Sequence, residues 1–182
     1  MKKKRILAKQ KSKYPSAEFL YTVSVEDYNR IMSNYDRIYD RVNIALGVCS
    51  AILLAALNGV DMAVILSWCS YSALEKVAVI IYSLTSMGGA VLFIIATIRF
   101  LLLSRSRKLL TFDSNSIKEE SLYEESTEDA ALWVTLQYIR AINDIRIQIK
   151  EKQNSFNTAT LLLIIGLLVY VVSLLIYNGG VL

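Results

Sequence analysis

The 182-residue chain has no histidine, one proline and two cysteines. Without histidine it lacks the commonest general base and the commonest metal ligand. Cys49 and Cys69 provide neither a disulfide framework nor a zinc-ligand spacing. No glycine-rich phosphate loop and no nucleophile elbow occurs in the sequence. We therefore expect no enzyme, no cofactor and no metal site. With Pro15 the sole proline and only seven glycines, helix breakers are also scarce.

Charge is missing over long stretches. Val42–Val60, Val77–Ile98 and Ala159–Tyr177 contain no Asp, Glu, Lys or Arg. A membrane-spanning helix needs about 20 mostly apolar residues, so each block qualifies. From Leu161 to Ile176, 13 of 16 residues are Leu, Ile or Val, and each of these favours insertion by about 0.3–0.6 kcal/mol. A chain this short could not cover three such helices with its polar remainder. The expected fold is all-α: a multi-pass helical membrane protein with three transmembrane helices and cytoplasmic helical extensions.

The charges that are present define the expected organisation. Lys2, Lys3, Lys4, Arg5, Lys9, Lys11 and Lys13 precede the first acid, Glu18. No apolar run follows them directly, so a cleaved signal peptide is not expected. These residues act as a topology signal and are candidates for contact with anionic lipid, at roughly 1 kcal/mol per residue near the surface. No fold or aromatic platform suited to nucleic acid accompanies them. Residues up to Arg41 and residues 104–157 hold ten and eight of the 20 Lys and Arg. The positive-inside rule makes both segments cytoplasmic, in the cell membrane, with the N-terminus inside.

Residues 1–23 read as a loose basic tail. Ser24-Val25-Glu26-Asp27 resembles a capping box and sets the expected helix start at Ser24. Tyr28, Ile31, Met32, Tyr35, Ile38, Tyr39 and Val42 then share one face, leading into a hairpin with spans 42–60 and 77–103. The heptad spacing of Tyr14, Tyr21, Tyr28 and Tyr35 is attributed to chance in its first two members, because Pro15 opposes a continuous helix. Residues 61–76, with Trp68 and Tyr71, suit a loop or short interfacial helix. Segment 104–157 opens with an acidic loop that includes Glu119, Glu120, Glu124, Glu125, Glu128 and Asp129. These acids lack the alternating spacing of a calcium loop. Leu132, Ile139, Ile142, Ile149 and Phe156 follow at heptad positions, interrupted by Arg146 and Gln153. No Gly or Pro occurs between Asp113 and Ile165, so one helix is expected to run into the third span, within segment 158–182.

In lipid, small residues permit close helix packing. Ser86, Gly88, Gly89 and Ala90 form such a patch in the second span, and are candidates for packing either within the chain or between subunits. Gly89→Leu is the expected way to separate subunits. Tyr170 is the polar outlier of the third span and is expected to bond a neighbouring helix. The absence of a mid-depth charge argues against coupled transport.

The segment Tyr138-x-x-Ala141-x-Asn143, followed by Lys150-x-Lys152-x-Asn154 and directly by a span, resembles small bacterial membrane effectors of nucleotide-signal antiphage defence, of the SLATT and Pycsar types. The resemblance is architectural, covers residues 24–177, and departs from a two-span pattern in its third span. It implies a pore-forming or membrane-disrupting effector. The leading expectation is thus a non-enzymatic, self-associating membrane protein, a homo-oligomer with the bilayer as partner. The alternatives are a scaffold that recruits a cytoplasmic protein, or an accessory subunit of a transporter.

Overall fold

In a computed structural model, residues 13–105, 109 and 124–179 are described. Among them are four α-helices and no strand: α1 (Ala17–Asn58), α2 (Met62–Leu66), α3 (Ala73–Ser104) and α4 (Thr127–Asn178). A 3-10 turn, Trp68–Ser70, follows α2. α1, α3 and α4 have 42, 32 and 52 residues, and each is long and apolar enough to cross a membrane. The protein is all-α, membrane-embedded and three-span.

Each helix start has a local cause. α1 begins at Ala17, not at Ser24 as the capping pattern suggests. Pro15 sits in a turn that precedes the helix, with the Ala17 N–H donating to the Tyr14 carbonyl at 3.0 Å. The Ser24 hydroxyl bonds back to the Leu20 carbonyl at 2.8 Å, as a mid-helix serine does. Residues 17–23 therefore belong to the helix and not to a loose tail. α3 starts at Ala73, before the expected Val77. The backbone N–H of Ser72 donates to the Glu75 carboxylate at 2.7 Å. That backbone bond holds the Glu75 carboxyl below its ordinary range. α4 starts after Ser126, whose hydroxyl oxygen accepts from the Asp129 N–H at 3.1 Å and so satisfies a first-turn donor. From there α4 runs unbroken into the third span, as expected from the lack of Gly and Pro.

The chain divides into two compact units. The described part of the first, here the polar unit, is residues 13–35, 109 and 124–148; that of the second, the apolar unit, is residues 36–105 and 149–179. In the polar unit α1 and α4 run parallel. Tyr14 N–H donates to Glu128 at 2.9 Å, Tyr21 and Tyr28 meet Tyr138, and Arg146 meets Asp27 further along. The buried seam is Ala17, Ser24, Ile31 and Tyr35 from α1 with Thr135, Ala141, Ile142 and Ile145 from α4. In the apolar unit α3 runs against the other two helices. Its centre is Cys49, Ala96, Phe100 and Ala159, flanked by Leu46, Leu103 and Phe156.

Candidate functional site: helix contacts of the two units

The polar unit is organised by aromatic and ionic contacts. The Tyr138 ring lies 5.2 Å from Tyr28 edge-on and 6.3 Å from Tyr21. Burial, aided by the two neighbouring tyrosines, raises the Tyr138 hydroxyl above its usual pKa. Tyr21 thus takes part in the tyrosine heptad, and its place there is not chance. Proline is compatible with the approach to a helix, because the first N–H groups have no intrahelical partner.

Beside this seam is a groove of about 490 Å³, lined by Val23, Asp27 and Arg30 of α1 and by Ile139, Asn143 and Arg146 of α4. Asp27 accepts from Arg30 and, at 3.0 Å, from Arg146. Arg146, which interrupts the heptad in sequence, is therefore an ion-pair partner at the groove. The heptad set itself divides: Ile142 is buried, while Ile139 is exposed at the groove.

The apolar unit is closed at three levels. At the α3 C-terminus Lys152 is only 3% exposed. Its Nζ donates to the Leu103 carbonyl at 3.1 Å and lies 3.6 Å from the Tyr39 ring centroid. The Tyr39 hydroxyl donates to the Arg105 carbonyl at 3.3 Å. The last carbonyls of a helix lack intrahelical donors and carry partial negative charge, so a cation there satisfies both needs.

At the middle level, the Cys49 thiol lies 3.2 Å from the Thr97 hydroxyl, whose own proton goes to the Phe93 carbonyl. Phe100 meets Phe156 edge-on at 5.7 Å. At the remaining end, Asp61 gathers all three long helices. Its backbone N–H donates to the Tyr82 hydroxyl at 2.9 Å, and its carboxylate accepts from Tyr177 at 3.1 Å. The Tyr82 and Tyr177 rings stack at 5.8 Å. Tyr170 donates to the Ala56 carbonyl at 3.4 Å, the neighbouring-helix bond expected of its position. A Cβ on Gly59 would lie 2.2 Å from the Tyr170 oxygen, so this glycine makes room for the bond.

The small-residue patch of α3 is divided by the packing. Ser86, Gly89 and Ala90 are buried. A Cβ on Gly89 would lie 3.1 Å from Tyr170 Cβ and 3.3 Å from the Gly166 carbonyl of the same chain. Gly89 is therefore occupied within the subunit, and enlarging it tests the fold rather than association. A Cβ on Gly88 would meet nothing within 4 Å. Gly88 lines an open apolar groove of about 560 Å³ with Leu84, Met87, Val91 and Val169.

Of the lipid-contact candidates, Lys13 is described, its Nζ 4.9 Å from the Tyr14 ring centroid. Lys2, Lys3, Lys4, Arg5, Lys9 and Lys11 lie outside the described residues, as do Glu119 and Glu120. Among the described residues no group of three or more Cys, Asp or Glu is arranged to hold a metal ion. Sequence reasoning places Gly59 and Asp61 at the end of the first span but assigns no packing role to them or to Lys152. Asp61 has one visible signal, a lone acid directly after an apolar block. No family model, curated protein or solved structure matches this chain.

Proposed function

We propose that this is a non-enzymatic effector of the cell membrane, with its N-terminus in the cytoplasm, that self-associates and permeabilises the bilayer. The observation that carries the reading is the contrast between the filled interior of the apolar unit and its open outer face. Phe93, Ala96, Phe100 and Cys49 are wholly buried there, so any path for ions has to form between copies. The groove at Gly88 is a surface on which close packing in lipid can act. The lack of a mid-span charge favours a passive pore over a coupled transporter. Antiphage defence is the setting that the architectural resemblance suggests, by analogy of plan alone.

The test is inducible expression in a bacterial host, with a voltage-sensitive dye and growth as readouts. Depolarisation and growth arrest are expected, reduced at least tenfold in Gly88→Leu at equal membrane content. Polarised, growing cells containing the inserted wild type would contradict the proposal. They would favour a scaffold that recruits a cytoplasmic protein, a reading for which the groove of the polar unit is the supporting observation.

A further inference from the structure

We infer that the groove of the polar unit is where a second copy of this chain docks, through a twofold interface in which Ile139 of each copy faces its counterpart. The inference rests on the self-association reading above and gives it a second surface, besides the Gly88 groove of the apolar unit. The heptad pattern of α4 extends beyond what one chain buries. Of its members, Ile142 is taken up against α1 but Ile139 is 43% exposed; beside it, off the heptad, Leu136 is 55% exposed, and Val23 and Leu20 of α1 are each 44% exposed. Apolar residues at heptad positions on a water-facing helix are normally covered by another helix. Two helices alone have only one seam to offer each other.

The charges select the occupant. Glu26, Asp27, Arg30 and Arg146 line the groove, two acids and two bases. A strongly acidic or strongly basic partner would find no net complement there. A second copy would, because an isologous contact brings each residue of one copy onto its symmetry mate's surroundings: Asp27 of one lies against arginine of the other, and the reverse. Two copies in one membrane with the same orientation run parallel. The apolar end, Val23 with Ile139, then meets the apolar end, and the Asp27–Arg146 level meets its like. Arg30 and Arg146 are 73% and 55% exposed at their side chains, so both remain able to reach across.

The full chain carrying Cys69→Ser, reconstituted in liposomes, provides the test. Ile139→Cys should form a disulfide-linked dimer under mild oxidation. Asn29→Cys, exposed on α1 but not lining the groove, should do so at least tenfold less. Asp27→Arg with Arg146→Asp loses the Arg30 contact but keeps the pairing of positions 27 and 146 within each copy and between identical copies, and sets like charges together when mixed with wild type. Cross-linking of Ile139→Cys chains in a one-to-one mixture should then favour like pairs by several-fold, an effect that loss of folding would not produce. Circular dichroism checks that every variant keeps its helicity. If light scattering of the detergent-solubilised chain finds an oligomer but Ile139→Cys in liposomes cross-links no more than Asn29→Cys, the groove assignment is overturned and self-association stands. A wild type that is monomeric in liposomes overturns both.

Discussion

The two units differ in what they turn outward. The apolar unit packs Tyr82, Phe93 and Phe100 among small side chains such as Ala56, Cys49, Ser86, Ala96 and Ser173, and presents Ile44, Leu84, Leu102, Leu168 and Leu175 outward. The polar unit buries Ile31, Tyr35, Ile142 and Ile145 and turns Glu26, Arg30 and Arg146 outward. In water, removing apolar area is the main drive, about 25 cal/mol per Å². In lipid that drive vanishes between helices, and close approach and hydrogen bonds replace it. On the proposed topology, with the polar unit in water and the apolar unit in lipid, the same helices, α1 and α4, would obey the first rule in one unit and the second in the other.

Substitutions that exploit this difference should rank by which rule they violate. The largest effect is expected for Gly89→Leu. Its side chain would enter the Tyr170 and Gly166 backbone, at an overpacking cost of about 1–3 kcal/mol or more. Gly88→Leu, one residue away, should be near neutral to the monomer. Thermal unfolding of both in detergent, followed by circular dichroism, measures the gap.

Next is Lys152→Met. It removes the donor to Leu103 and the cation over Tyr39, leaving the part-buried Leu103 carbonyl without that partner at about 1–3 kcal/mol. Increased hydrogen exchange should appear first at residues 100–104. Asp27→Ala should matter least to stability, about 0.2–1 kcal/mol, since Arg30 and Arg146 are largely exposed. Its effect should shrink further as salt rises. A large Asp27 effect with a small Gly89 effect would reverse the comparison.

The spans are legible in the sequence because apolar length is a property of the chain alone. The unbroken run of α4 is legible for the same reason, from the absence of breakers. The start of α1 is not, because Pro15 looks like a barrier although it stands before the first turn, where no hydrogen bond is lost. Ser24 offers a capping pattern, but a serine pattern cannot distinguish a cap from a mid-helix hydroxyl that bonds four residues back. The Gly89–Tyr170 and Gly59–Tyr170 contacts join positions 81 and 111 residues apart, and no local signal encodes them. Lys152 follows Lys150 in a polar run, and nothing in that run marks it for burial. It is buried because α3 ends beside it, which only the packing reveals.

Two leucines test most directly whether one unit faces lipid and the other water. Leu84 in the apolar unit and Leu136 in the polar unit are 69% and 55% exposed, so exposure alone does not tell them apart. Each is replaced by a spin-labelled cysteine in a Cys69→Ser chain, reconstituted in liposomes. Accessibility is then read with oxygen, which concentrates in lipid, and with a water-soluble nickel chelate. Oxygen-dominated relaxation is expected at position 84 and nickel-dominated relaxation at position 136. The same balance of oxygen and nickel at both positions would contradict the division into a lipid-facing and a water-facing unit.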